Sequence, residues 1–144
     1  MAPQNFKNHT RYVPMFHFVL LTIILIVAVL ALLNFYYSFE EGDRMLLPVM
    51  FFLIAIALFI GFFSMRNFSL RAQDRAIRAE ENLRHFVLTG KLLDKGLTMK
   101  QIVALRFAED EEFLDLAVKA RKENMSRNDI KKAIKNWKAD NHRA

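Results

Sequence analysis

The sequence predicts an all-α membrane protein, a two-span transmembrane helical hairpin with a small cytoplasmic helical domain, and three observations carry that prediction. Apolar residues make up 53% of the 144-residue chain but are concentrated: the 21-residue windows Val13–Leu33 and Met45–Met65 hold 18 each. That is the length and composition of a bilayer-crossing helix. All 21 basic and 15 acidic residues lie outside those windows. The remainder of the chain carries repeated helix-start signals, with no proline after Pro48 and no cysteine anywhere. One soluble globule and a disulfide scaffold are both excluded.

Taken in order, residues 1–12 form a cytoplasmic N-terminal segment with Lys7 and Arg11. Transmembrane helix 1 covers 13–35; its most apolar part, Pro14–Leu33, spans roughly 30 Å at about 1.5 Å per residue. A cleavable signal is the rival reading. The apolar core is too long for one, Asn34-Phe35-Tyr36-Tyr37 is a poor cleavage site, and a second span follows. Residues 36–44 form a short extracytoplasmic connector with Glu40, Glu41, Asp43 and Arg44, turning at Gly42-Asp43. Transmembrane helix 2 covers 45–65. Basic residues stay on the cytoplasmic side, so Lys7 and Arg11 before the hairpin and Arg66, Arg71, Arg75 and Arg78 after it place both termini there. Phe35, Tyr36, Tyr37 and Phe39 suit an outer aromatic belt; Tyr12, Phe16 and Phe18 suit an inner one.

Within the spans, Ala57-x-x-x-Gly61 is a candidate for close span packing, set against ordinary apolar composition. His17 is the one titratable side chain inside the apolar runs. So near the cytoplasmic edge, it reads as a snorkelling or helix–helix hydrogen-bonding group rather than a proton relay. No Asp or Glu lies in either span, which argues against an autonomous pump or cation channel.

Residues 66–96 form a juxtamembrane helix and turn, with the second span continuing as one helix through Leu88. Ala72, Ala76, Ala79, Leu83 and Phe86 alternate spacings of four and three, a coiled-coil seam about two heptads long. Arg71, Arg75 and Arg78 make a separate stripe able to reach anionic headgroups. Thr89-Gly90 ends the helix and Lys95-Gly96 marks a second break. Residues 97–144 form a short-helix cytoplasmic domain with a basic C-terminus. Thr98 caps its first helix, Gln101 closes a capping box, and Leu97 staples against Ile102. Glu109–Glu112 opens the second helix, with Phe113, Leu114, Leu116, Ala117 and Ala120 as its apolar side. Met125-Ser126-x-x-Asp129-Ile130 opens the third, in which Ile130, Ala133, Ile134 and Trp137 recur at i, i+3, i+4 and i+7. Three short helices over 97–138 make too small a core to stand alone. They are expected to pack on the juxtamembrane helix, a second copy or another protein.

The basic excess is local. Residues 66–118 carry nine basic and nine acidic side chains, whereas 119–144 carry nine and three, equal to the formal charge of +6 for the whole chain. On a helix Lys131, Lys132, Lys135 and Lys138 fall on one face, opposite Ile130, Ile134 and Trp137. Such a face solvates a packed helix, lies on anionic lipid, or binds nucleic-acid phosphate, in that order of preference. Motifs for catalysis are lacking: there is no phosphate-cradling loop, G-x-S-x-G or H-E-x-x-H. His9, His17, His85 and His142 have no metal-ligand spacing, and Glu109–Glu112 lacks the alternation of a calcium loop. No catalytic residue, metal or cofactor is expected.

Three stretches carry a resemblance: Asn5-Phe6-Lys7-Asn8-His9-Thr10-Arg11-Tyr12, Leu97-Thr98-x-x-Gln101-Ile102-x-Ala104-Leu105-Arg106-Phe107-Ala108, and Ile130-Lys131-Lys132-Ala133-Ile134-Lys135-Asn136-Trp137. With them nearly the whole chain resembles an uncharacterised family of small two-span bacterial inner-membrane proteins. The resemblance implies a multi-pass protein of the bacterial inner (cytoplasmic) membrane and supplies no activity, cofactor or catalytic residue. The expectation is a non-enzymatic integral protein anchoring a cytoplasmic helical interaction domain, a scaffold or accessory subunit near anionic lipid. Its partners would be the bilayer and another membrane protein or a second copy of itself. The alternative is a membrane-tethered nucleic-acid-binding protein using the basic C-terminal helix.

Overall fold

The structure, a computed structural model, describes residues 4–6, 8, 12–42 and 44–140. The readings placed on Lys7, His9, Arg11, Asp43 and His142 lie outside the described residues. The described residues are mostly helical, with no strand beyond one isolated bridge. They divide into two compact units, Arg11–Ser69 and a second made of Met1–Thr10 with Leu70–Ala144. The described residues form five α-helices: α1 (Leu21–Glu41), α2 (Leu46–Thr89), α3 (Met99–Leu105), α4 (Asp110–Lys122) and α5 (Arg127–Ala133). α2 contributes its first part to one unit and its later part to the other.

In the first unit a π-helical segment, Met15–Leu20, leads directly into α1. Pro14 sits at its start, where a missing N–H breaks no helical bond. The helix outruns its expected end at residue 35 and stops at Glu41. Asn34-Phe35-Tyr36-Tyr37 contains no breaker, whereas Gly42 adopts φ +69° and returns its N–H to the Ser38 carbonyl. Phe35, Tyr36, Tyr37 and Phe39 are therefore helical, and the connector shrinks to 42–45. Pro48 falls in the first turn of α2, where proline is tolerated.

Along the π-helical segment and α1, His17, Leu21, Ile24, Ala28, Ala31, Phe35 and Ser38 are buried or half-buried; on α2, Pro48, Phe52, Ala55, Phe59, Phe62 and Arg66 are. Both sets alternate spacings of four and three, so each helix turns one stripe toward the other. Phe16 stacks on Phe62 at 4.5 Å and Phe35 lies 5.9 Å from Phe52, which makes the pair antiparallel. The expected packing pair Ala57 and Gly61 is not part of this contact. Ala57 is exposed, and nothing lies within 4 Å of where a Cβ on Gly61 would be. The small residues buried along the two stripes are instead Ala31 and Ala55, each 5% exposed. His17 Nδ1 lies 3.1 Å from the Val13 nitrogen and 3.0 Å from its carbonyl oxygen, a bond within its own segment rather than between helices.

The second unit folds around Ile102, Leu105, Phe107, Phe113 and Ile130, with Ile77 of α2 and Leu93 added to the same core. The short helices thus pack on the later part of α2. The capping box at Thr98 and Gln101 forms as read from the sequence, and Ser126 caps α5 by accepting the Asp129 N–H at 3.2 Å. Glu109 is the N-cap of α4 without a side-chain cap bond. The face of α2 turned into this core carries Ile77, Glu81 and Arg84, while the seam of Ala72, Ala76, Ala79, Leu83 and Phe86 stays exposed. One expectation needs correction: α5 ends at Ala133 rather than running to 138. Ile134 is extended, and the Glu112 carboxylate of α4 accepts the N–H groups of Lys135 at 3.1 Å and Asn136 at 3.0 Å. Those donors are held outside a helix, and Trp137 pairs as a bridge with Ala108.

Candidate interaction surfaces and the Arg84 cluster

Arg84 is the most connected polar side chain of the second unit. Its Nε donates to Asp110 Oδ1 at 2.6 Å, Nη2 to the Ala108 carbonyl at 2.7 Å, and Nη1 to Glu81 Oε2 at 3.3 Å. Its guanidinium plane lies 4.3 Å from the Phe113 ring centroid. One side chain thereby ties α2 to the segment between α3 and α4 and to the first turn of α4. Glu81 is 7% exposed, and burial pushes its carboxyl above the usual range while Arg84 pulls it partly back.

A cavity of about 290 Å³ opens beside this cluster, lined by Gln73, Glu81, Arg84, Arg106, Lys138 and Asp140 among others. Arg106 pairs with Asp140 at 3.1 Å, and the Asp140 backbone is held by Gln4 through bonds of 2.9 and 3.3 Å. Charges of both signs converge there, and Arg84 and Arg106 each already hold a carboxylate. The arrangement acts as a clamp on the fold. His85 Nδ1 lies 2.6 Å from the Lys91 carbonyl, which requires the Nδ1–H tautomer, and its ring meets Phe113 edge-on. It fixes the turn after α2. Among the described residues no group of three or more His, Asp or Glu is placed to hold a metal ion.

The residues predicted as contacts meet different fates. Arg71, Arg75 and Arg78 are exposed on α2 as a stripe. Lys131 is 2% exposed, with its Nζ 5.0 Å from the Phe107 ring centroid, so it is a core residue and not a surface cation. Lys132 is exposed and lies over Phe6 at 5.8 Å. Lys135 and Lys138 are exposed but lie beyond the end of α5. The four lysines therefore share no helix face. The extended turn at Ile134 is what separates them.

Sequence reasoning missed Glu81, Arg84, Asp110, Arg106, Asp140 and the role of Glu112. The i, i+3 spacing of Glu81 and Arg84 was a signal. It gained weight only beside Ile77, on the face the coiled-coil seam left over. Gln101 was read as a capping residue alone. Its Nε2 also donates to the carbonyls of Ala120 at 3.2 Å and Met125 at 3.0 Å, joining the start of α3 to the end of α4.

No curated protein and no solved structure matches the chain. Residues 1–144 match a family of unknown function, DUF6526, and the chain belongs to that family. The expected resemblance to an uncharacterised family holds at that level.

Proposed function

We propose that the protein is a non-enzymatic integral protein of the bacterial inner membrane, with a hairpin that anchors a cytoplasmic helical unit for binding other proteins near anionic lipid. The observation that carries this reading is the exposed surface of the hairpin. Ile23, Leu30, Leu53 and Ile60 are 52%, 59%, 58% and 62% exposed, and they belong to a surface that is apolar on nearly every side. A soluble protein does not leave so much contiguous apolar area in water; hydrocarbon solvates it without cost. The two helices are long and apolar enough to cross a bilayer. Arg66, Arg71, Arg75 and Arg78 support a cytoplasmic second unit, and the exposed arginine stripe suits anionic headgroups. The polar clamps of that unit support a rigid presenting surface rather than a flexible tail. The nucleic-acid alternative loses its basic helix face with the burial of Lys131.

Alkaline carbonate extraction and reporter fusions test the proposal together. The full chain stays in the membrane pellet, and fusions at both termini report the cytoplasm. Release into the supernatant, or a translocated C-terminus, overturns it.

A further inference from the structure

We propose that the exposed seam of α2 over residues 72–86 is a parallel dimerisation face, occupied by the same seam of a second copy of this chain. The inference rests on the anchoring reading, because two copies held in one bilayer present α2 in the same direction.

Ile77, Glu81 and Arg84 turn one side of α2 into the core of its unit, and the opposite side is exposed, with Ala76 and Glu80 at the rim of the cavity. That side holds Ala72, Ala76, Ala79, Leu83 and Phe86; Leu83 is 63% exposed and Phe86 50%. Spacings of four, three, four and three assign them to heptad positions d, a, d, a and d, a seam about 21 Å long at roughly 1.5 Å per residue. Three alanines let two backbones approach closely, and Leu83 with Phe86 supplies apolar area at one end.

The flanking charges choose the partner. Arg75 precedes the a position at Ala76 and is therefore a g residue; Glu80 follows the d position at Ala79 and is an e residue. In a parallel, in-register pair each g side chain meets the e side chain about five positions further along its neighbour. Arg75 then opposes the partner's Glu80, and symmetry makes the contact twice. Antiparallel pairing sets g against g and e against e, which brings like charges together. Arg75 and Glu80 are both exposed, and among the described residues neither is in an ion pair within the chain. A seam this short is weak in dilute solution. Confinement to one bilayer raises the effective concentration of the two copies and makes a short seam sufficient.

The chain has no cysteine, so single cysteines report without background. Ala72→Cys, Ala79→Cys and the off-seam control Arg78→Cys are placed in the full chain and oxidised in native membranes. Ala72→Cys and Ala79→Cys cross-link to dimers at least ten-fold more than Arg78→Cys, because a disulfide needs Cα atoms within about 7 Å. In the Ala79→Cys chain, Glu80→Arg lowers the dimer yield several-fold, and adding Arg75→Glu restores it. Cross-linking at Ala79→Cys without Ala72→Cys means an antiparallel pair and overturns the assignment. So does a yield equal at all three sites, or no dimer at any. Carbonate extraction of the same membranes separates the two readings. A chain in the pellet that does not cross-link removes the dimer and keeps the anchor, whereas a chain in the supernatant removes the anchor and leaves the dimer to the same gel.

Discussion

The hairpin and the second unit are built from the same kind of element and held by opposite means. In the hairpin, Ile24, Ala31, Ala55 and Phe62 are the buried hydrophobic residues, and among the described residues its side-chain hydrogen bonds are local, such as Tyr36 to Glu40 and Ser69 to the Met65 carbonyl. In the second unit Arg84, Gln101 and Glu112 bond groups 19 to 26 residues away in sequence. Helix length explains the difference. α1 and α2 satisfy their own backbones over many turns, as a helix in hydrocarbon must. α3 and α5 have seven residues each, so most of their terminal N–H and C=O groups need outside partners. The polar clamps bond the segments that flank the short helices, at Ala108, Met125, Lys135 and Asn136.

The largest break in that comparison should come from the core of the second unit. Phe107 is fully buried, with Trp137 at 5.1 Å and the guanidinium of Arg106 at 4.7 Å from its ring. Phe107→Ala should cost about 4 kcal/mol and open that unit to protease, while the hairpin remains as a protected fragment. Leu30→Ala, at a position 59% exposed, should change stability by under ~1 kcal/mol. Limited proteolysis of the full chain in micelles reads both, and equal sensitivity would erase the distinction between the regions.

Removing Arg84 tests the clamps directly. Arg84→Ala leaves Glu81 buried without its cation and the Ala108 carbonyl without its donor, a loss of about 3 kcal/mol. The pH dependence has a definite sign. Burial holds the Glu81 carboxyl above its ordinary 4.5, so the folded state takes up the proton more readily than the unfolded one. Its contribution to stability is full below about 4.5 and is lost as pH rises through the raised value. Glu81→Gln removes that loss. Denaturation midpoints of Glu81→Gln and wild type should therefore diverge as pH increases from 4, with the variant gaining. A constant difference would mean that the carboxyl is hydrated in the folded protein.

A smaller effect is expected at Gln101. Gln101→Ala leaves the Thr98 N–H and the Ala120 and Met125 carbonyls without their partner, costing about 2 kcal/mol. Gln101→Glu keeps the acceptor for Thr98 but loses the donor. It should recover only part of the loss, measured by denaturant unfolding.

Local grammar made much of this legible in advance. The cap bonds of Thr98, Gln101 and Ser126 join residues three apart, so they could be read from spacing alone, and a run such as Val13–Leu33 declares its length. Contacts between distant segments are a different matter. The continuation of α5 to Trp137 satisfies helical periodicity, but Glu112, one helix earlier, captures the N–H groups of Lys135 and Asn136 outside a helix. Lys131 has the charge of a surface cation, but its ammonium lies over the ring of Phe107, 24 residues earlier in the chain. On α2 two faces competed for the core. The seam with the better heptad spacing lost to Ile77, Glu81 and Arg84, because only that face meets Asp110, Ala108 and Phe113.

Two glycines provide the finest comparison, now inside the hairpin itself. Gly42 holds φ +69°, a left-handed conformation that an L side chain adopts only with strain. Gly42→Ala should therefore lose about 1 kcal/mol in thermal unfolding of the micellar protein. Gly61 is helical, and nothing lies within 4 Å of an added Cβ. Gly61→Ala should leave stability unchanged or raise it by up to ~1 kcal/mol, since alanine restricts the unfolded chain more than glycine does. The sign at Gly61 also decides the role of the small pair on α2. A gain in both micelles and bilayers leaves Ala57 and Gly61 facing lipid. A gain in micelles that turns to a loss in bilayers means that another helix packs against that face of α2, one that forms only when the chain is held in a membrane.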